Sequence, residues 1–570
     1  MRLKKLFKNS NFIGLSVVIV FAILAARFLF TPGYFNMHDD LQMMRQLEME
    51  KCFLDLQIPC RWIPDMGYGF GFPLFNFYPP LPYLIGEVFR VLSFSFVDTI
   101  KIVSALSFIF SGITMYLLAK EFFGRIGGVL SSIFYVWAPY HAIDVYVRGA
   151  MNEAWALVWF PLILWSSYRL IKKDDSLKKW SLLLALSWTG LFLSHNLMVL
   201  IFTPVFGLWC LLFLWREKTW KTLPVLVLSG ALALGLAAFF TLPAIFEQKY
   251  VQVNTLVVGY YEYIAHFATL NQLFVSRFWG YGPSIWGDND GMPFQIGHIH
   301  WVVSLIILAL LIWKYTKTRK LESLSMMVGL MLFIGWFAAF MAHSKSTFIW
   351  QAIPPLKFVQ FPWRFLTIVI LTFSFAVGSI VLFLKKKLYK LLVIGLLIAG
   401  LMILNWNYFR PEHMGPLTDK QKFSGAAWEL QQTAGIYDYL PKDAYTAPKE
   451  PQKNLAEIID GEAKITDPSQ GTKWAKFKVN VESDKATIRL GIFKFPGWNV
   501  YIDGKIIGTR VPTEEKWGRM WIEVSKGEHS ISAKFLNTPI RSFANATSII
   551  FLALFLCLLF NKRKDFSNFA

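Results

Sequence analysis

The chain has 570 residues, 55% of them hydrophobic and 17% aromatic, with a mean hydropathy of +0.43. So many long apolar runs exceed what a soluble core needs, and a polytopic membrane protein is the class that fits. The 57 basic and 37 acidic residues leave a net charge of +20, but the bases cluster in short loops between apolar runs; there is no basic, aromatic-interleaved soluble module to take nucleic acid.

At the N-terminus, Met1-Arg2-Leu3-Lys4-Lys5 begins like a signal peptide. A long apolar run with no small-residue cleavage site makes it an uncleaved anchor instead. Apolar runs of spanning length lie near 11–30, 97–119, 125–140, 153–170, 179–194, 197–215, 222–246, 299–313, 323–342, 365–384, 389–405 and 543–560. That predicts about twelve membrane helices.

Basic residues mark every second connection: Arg2, Lys4, Lys5 and Lys8; Lys120 and Arg125; Arg169, Lys172, Lys173, Lys178 and Lys179. The same pattern continues with Arg216, Lys218 and Lys221, then Lys314, Lys317, Arg319 and Lys320. Lys385, Lys386, Lys387 and Lys390 follow, and Lys562, Arg563 and Lys564 close the chain. This alternation places both termini in the cytoplasm and the intervening loops outside.

The first outer loop, 31–96, is too long for a plain connection. It carries Asn36-Met37-His38-Asp39-Asp40, a predicted amphipathic helix over 41–56, and the Gly/aromatic stretch Gly67-Tyr68-Gly69-Phe70-Gly71-Phe72-Pro73. Pro79-Pro80-Leu81-Pro82 then opens an apolar helix ending near Leu92, which its Glu87 and Arg90 assign to the membrane surface. Further outer loops hold Asp144 to Glu153, a bare turn at Ser194-His195-Asn196, an aromatic segment over 247–298, and Lys357 to Arg364.

The character changes after 405. Residues 406–470 are polar, and from about 472 alternation such as Ala475-Lys476-Phe477-Lys478-Val479-Asn480-Val481 predicts half-buried antiparallel strands. Asp503-Gly504 and Lys526-Gly527 supply hairpin turns. The expected organisation is a membrane domain over 1–405, an extracytoplasmic β-sandwich domain within 406–541, and a last span with a basic tail over 542–570.

Asp39 and Asp40 are the strongest catalytic candidates: one as general base toward an acceptor hydroxyl or amine, the other orienting it or binding a divalent metal ion. The competing explanation is helix capping ahead of Leu41-Gln42-Met43-Met44. His38 beside them joins the substrate-binding candidates. Glu153 opens an apolar run and offers a second acid or a metal ligand, whereas Asp144 and Arg148, four apart, read as a surface ion pair.

Arg148, Arg277, Lys357 and Arg364 suit a lipid-linked phosphate, which Arg binds bidentately, or else interfacial anchoring. Arg27 snorkels. His298, His300 and His343 lack the spacing of a zinc protease. Asp288-Asn289-Asp290-Gly291 fails as a calcium loop, because alignment on Gly291 puts Trp286 at the first ligand position. Cys52 and Cys60 share the first loop, where a disulfide forms only if that loop faces an oxidising compartment; Cys210 and Cys557 fall inside apolar runs.

The acidic pair after the first span, the long first loop and its Pro-Pro-Leu helix start resemble the GT-C glycosyltransferases. That resemblance implies a GT-C fold, a polyprenyl-phosphate-linked sugar donor, and Asp39 or Asp40 at the catalytic position. Tyr146-Val147-Arg148-Gly149-Ala150, Leu193-Ser194-His195-Asn196, Phe278-Trp279-Gly280-Tyr281-Gly282 and Gln360-Phe361-Pro362-Trp363-Arg364-Phe365-Leu366 resemble the bacterial membrane family labelled "6-pyruvoyl-tetrahydropterin synthase-related". The pterin activity does not carry over, since that synthase is a small soluble zinc enzyme. Phe495-Pro496-Gly497-Trp498-Asn499-Val500-Tyr501 resembles the C-terminal domain of YfhO-type membrane proteins, linked to glycosylation of the cell envelope. The expected function is transfer of a sugar from a polyprenyl-phosphate donor in the membrane lipid to an envelope glycan or lipid acceptor. A lipid or solute transporter and a non-catalytic envelope scaffold are the alternatives.

Overall fold

In the computed structural model residues 10–172, 176–287, 289–320 and 322–561 are described. The basic residues Arg2, Lys4, Lys5, Lys8, Lys173, Lys562, Arg563 and Lys564, together with Asp288, lie outside them. Each apolar run forms helix, but the number of membrane crossings differs from the expected twelve. Among the described residues eight helices are long and apolar enough to cross a membrane, or nine if one bent pair counts as a span.

Four elements account for the difference: a short first helix, a hairpin counted as one element, a broken pair, and Leu177–Ser194, which is not among the eight. The first run gives α1 (Ser10–Ala25), whose sixteen residues reach about 24 Å before a 3-10 turn at Arg27–Phe30. The runs at 97–119 and 125–140 share one element, α4 (Phe96–Val136), which leaves helical geometry at Gly124, with φ 68° and ψ −177°. Ser132 Oγ donates to Gly112 O at 2.6 Å, residues that a straight helix would hold about 30 Å apart. The element is therefore a hairpin, and a residue without Cβ makes the reversal where the two basic residues Lys120 and Arg125 flank it.

The third is a break: α8 (Leu223–Leu236) and α9 (Ala238–Phe246) meet at 78°. The backbone freed there is satisfied from elsewhere, with Phe239 N–H donating to Ser548 Oγ and Phe239 O accepting from Arg61. The remaining long helices are α5 (Met151–Lys172), α6 (Leu177–Ser194), α7 (Asn196–Arg216), α10 (His298–Thr318), α11 (Ser323–Met341), α12 (Leu366–Val377), α13 (Lys387–Asn405) and a terminal helix, Pro539–Phe560. Every residue of α12 is buried, which makes it the axis of the bundle. The terminal helix shows almost all of its apolar surface, as a helix meeting lipid does.

The first loop supplies α2 (Gln42–Leu54) and α3 (Leu81–Val91). The predicted amphipathic helix is buried on several faces, including Gln42, Arg45, Gln46 and Glu48. Cys52 and Cys60 are disulfide-bonded, with Cα atoms 5.4 Å apart. Cys210 is buried and Cys557 is exposed.

The C-terminal strands are β3 (Ala456–Asp460), β4 (Ala463–Gln470), β5 (Trp474–Phe493), β6 (Trp498–Ile502), β7 (Lys505–Ile507) and β8 (Arg519–Phe535). Hydrogen bonding joins all six in one antiparallel sheet, ordered β3-β5-β8-β6-β7 with β4 also on β5, where two sheets were expected. β5 is long enough to carry both β3 and β4 along one edge while β8 runs along the other. The sheet packs on the first loop. Trp62 lies against Phe495, Trp498 and Phe535, and Asp55 accepts from Thr472 N, Thr472 Oγ1 and Trp474 Nε1. Upstream, the two-residue strands β1 (Tyr34–Phe35) and β2 (Met414–Gly415) pair antiparallel, drawing the polar segment beyond α13 toward Asp39 and Asp40.

Candidate active site

Backbone pairing sets the position of the acidic pair. His38 N–H donates to Val147 O at 3.1 Å and Asp39 N–H to Arg148 O at 2.9 Å, so the loop before α5 fixes the start of the loop after α1. Neither aspartate caps α2: its N-cap is Leu41, with no side-chain hydrogen bond. The capping explanation is thereby removed, and the two carboxylates do different things.

Asp39 Oδ2 accepts from Arg45 Nη1 at 2.7 Å and from Gln42 Nε2 at 3.0 Å. Arg45 is buried, stacks on the Tyr78 ring at 4.2 Å and donates to Tyr78 Oη. Gln42 in turn accepts from Tyr83 Oη at 2.5 Å. No hydrogen bond reaches Asp39 Oδ1 among the described residues, and a third of the side chain stays exposed. Asp40 turns the other way, to an ion pair with Lys422. Burial raises its pKa, against the pull of Lys422.

A second cluster lies just behind Arg148. Glu153, wholly buried in the first turn of α5, accepts from Tyr140 Oη at 2.7 Å and faces Arg148 Nη1 at 2.8 Å, Arg364 Nε at 3.4 Å and His195 Nε2 at 3.9 Å. Asp144 pairs with Arg148 at 2.5 Å, but both are buried, which corrects the expected surface pair. Trp363 covers the Arg148 guanidinium at 4.6 Å. Arg364 Nη1 donates to Val359 O at 2.7 Å and Gln360 Oε1 at 3.0 Å. No hydrogen bond reaches Nη2 of Arg148 or Arg364 among the described residues. His195 Nδ1 caps α7 by accepting from Leu197 N and Met198 N, which leaves Nε2 toward Glu153. Burial lowers the His195 pKa to about 3.

The structure thus brings His38, Asp39, Asp40, Arg148, Glu153 and Arg364 into one neighbourhood. His38 Nε2 lies 3.0 Å from Tyr281 O, and its pKa is lowered by burial. Arg277 and Lys357 stand elsewhere: Arg277 donates to Leu404 O at 3.0 Å, and the exposed Lys357 ammonium lies over Phe358. His298, His300 and His343 bond separately to Val275 O, Phe134 O and Lys345 N. Asp290 is held by Ile285 N and Gln272.

Sequence reasoning missed Arg45, His195, Lys422 and Asp438. Asp438 follows a pairing of 250–255 with 437–444, in which Gln252 N donates to Leu440 O at 2.9 Å and Thr255 Oγ1 to Tyr437 O at 2.7 Å. Burial lifts the Asp438 pKa to about 7, Arg45 opposing and Asp39 adding to the rise. The Asp438 charge, with burial and Asp39, raises that of Tyr261. The available signal was local: a lone acid inside Tyr437-Asp438-Tyr439 and a lone Arg in a Met-rich helix.

No group of three or more His, Cys, Asp or Glu side chains is placed to hold a metal ion among the described residues. Asp39 and Asp40 each already face a cation. This donor set does not fit a divalent ion held by the protein alone.

Residues 78–242 match the family model described as dolichyl-phosphate-mannose-protein mannosyltransferase. The match contains Asp144, Arg148, Glu153 and His195; Asp39, Asp40 and Arg364 fall outside it. An uncharacterized protein of Lactococcus lactis subsp. cremoris (strain MG1363) is 26% identical over 255 residues, which are 43% of this chain and 41% of that one. Among solved structures, the arabinofuranosyltransferase AftD from Mycobacteria superposes with a TM-score of 0.46 at 11% identity, covering 71% of this chain and 28% of its own. The Archaeoglobus fulgidus oligosaccharyltransferase, tethered with an acceptor peptide, gives 0.45 at 12% identity over 78% of this chain and 61% of its own. The chain spans less than two thirds of each of these relatives.

Proposed function

We propose that this multi-pass membrane protein is an inverting glycosyltransferase that moves a sugar from a polyprenyl-phosphate donor to a cell-envelope acceptor. The observation that carries the reading is the Asp39 carboxylate: one oxygen is clamped by Arg45 and Gln42, and none of the described residues hydrogen-bonds the other. A clamped carboxylate with one open oxygen is poised to take a proton. The mannosyltransferase match over 78–242 supports the donor class.

In this mechanism the acceptor hydroxyl oxygen bonds to the anomeric carbon as the bond from that carbon to the phosphate oxygen breaks. The hydroxyl proton goes to Asp39 Oδ1. The polyprenyl phosphate leaves with the electron pair, and the open Nη2 groups of Arg148 and Arg364 meet its charge, as guanidinium matches phosphate geometry. Glu153 and Asp144 fix the inner edges of those guanidinium groups. Asp40, paired with Lys422, positions Asp39 through the shared backbone.

The reading extends to topology: the basic loops face the cytoplasm, the acid cluster and the sheet face outward, and the sheet binds or covers the acceptor. It also retains the resemblance to the YfhO-type and "6-pyruvoyl-tetrahydropterin synthase-related" membrane families. The broken span at Ala237 suits a transporter. The test incubates purified protein with labelled polyprenyl-phosphate sugars and envelope acceptors, and in parallel measures uptake of the same donors into proteoliposomes. Labelled product and no gradient-driven uptake is expected; uptake without product overturns the proposal.

A further inference from the structure

At the far end of the bundle α7, α10 and α11 contribute to one cavity. A groove of about 790 Å³ opens between them, lined by Leu208, Leu211, Leu308, Ile312 and Leu330 along its length. That volume lies within the roughly 300–1,000 Å³ typical of small-molecule sites. α7 runs 21 residues, or about 30 Å, from Asn196 beside the acid cluster to Arg216 near the groove, so the two regions are separate.

One end of the groove is polar. Trp215, Trp220 and Tyr315 line it together with Lys314 and Lys320. Trp and Tyr are the residues that settle at headgroup level, and lysine stems lie along apolar surface with the ammonium in water. The connections meeting there add Arg216, Lys218, Lys221, Lys317 and Arg319. The acids of the same two connections are Glu217 and Glu322, and Glu322 pairs with Lys314 at 2.6 Å. Seven cations stand against two anions. The groove therefore combines an apolar trough at membrane depth with a positive rim, and this pairing matches one class of molecule.

We propose that the groove binds an anionic glycerophospholipid, with an acyl chain between α7, α10 and α11 and the phosphate at Lys314 and Lys320. Neutral bilayer lipid fits the trough equally well but gains nothing from the rim, so selectivity for the headgroup charge is the distinguishing property. Gly329 lines the trough, and a Cβ there meets open space, so a large side chain would fill the groove without disturbing the helix backbone.

The experiment is native mass spectrometry of the full-length protein, titrated with phosphatidylglycerol and with phosphatidylcholine of identical chains. The wild type is expected to retain phosphatidylglycerol at least tenfold more tightly. The variant K314Q/K320Q is expected to lose that preference by about fivefold per lysine while still taking both lipids. The variant G329F, with every charge in place, is expected to lose the tightly held lipid. Equal retention of the two lipids by the wild type, or a preference that survives both variants, overturns the proposal. Neither outcome depends on glycosyl transfer.

Discussion

The edge at Asp39 and the core at Glu153 contain the same kinds of side chain arranged to opposite ends. Around Glu153 two carboxylates meet two guanidinium groups, a tyrosine and a histidine, and every one of them is buried or nearly so. Around Asp39 the buried Arg45 and Gln42 hold one carboxylate oxygen, and none of the described residues bonds the other. Burial with matched charge makes a rigid frame, whereas partial burial with one unmatched atom makes a reagent. The backbone of Arg148 belongs to both, since its side chain sits in the core and its carbonyl holds Asp39.

The largest effect is expected in the core. Glu153→Gln leaves Arg364 buried without its counter-charge and Arg148 with Asp144 alone. Unpairing a buried ion of this kind costs about 3–5 kcal/mol. A large fall in thermal stability and in recovered monodisperse protein is expected; stability equal to wild type would show that the frame does not depend on charge matching. Asp438 gives a smaller effect that sharpens the other region. Its pKa near 7 means that a second negative charge appears opposite Asp39 as pH rises through neutrality. An inflection near pH 7 is expected in the rate profile of the wild type and absent from that of Asp438→Asn.

Glu87 gives the smallest effect and serves as a control away from both regions. Its pKa is raised to about 7 by burial, although Gln46 donates to it at 2.5 Å. A carboxyl raised in the folded state binds more protons there than when unfolded, so it lowers stability as pH climbs from about 4 to 7. Glu87→Gln keeps the acceptor oxygen. It is expected to raise the unfolding temperature at pH 8 by an amount corresponding to about 1–3 kcal/mol, and to leave it unchanged at pH 4. Equal shifts at both pH values would show that the carboxyl proton is not responsible.

Much of this contrast was visible in the sequence, and the reasons differ by residue. Apolar runs announce helices because burial in lipid demands length, and the alternating strands of 474–493 announce a half-buried sheet. The two runs either side of Gly124 do form two legs of a hairpin, but the number of spanning helices was not legible where α1 stops at Ala25 and where the break at Ala237 is held open by Arg61 and Ser548 from distant segments. Asp39 and Asp40 drew notice as adjacent acids. Asp39 meets Arg45 only six residues on, but that Asp40 belongs to Lys422, 382 residues away, follows the pairing of β1 with β2, which no local pattern encodes. Asp144 and Arg148 had the spacing of a surface pair, and only the packing of Trp363 and Glu153 reveals it as interior.

The division of labour between the two neighbouring aspartates is tested most directly by single-turnover transfer from a labelled polyprenyl-phosphate sugar, comparing Asp39→Asn with Asp40→Asn. Both substitutions conserve shape, and Arg45 and Lys422 retain an oxygen to bond. Loss of a general base lowers the rate roughly 10²–10⁴-fold. That loss is expected for Asp39→Asn, with Asp40→Asn remaining within about tenfold of wild type. Wild-type transfer by Asp39→Asn, or an equal collapse in both variants, would contradict the assignment of Asp39 as the base.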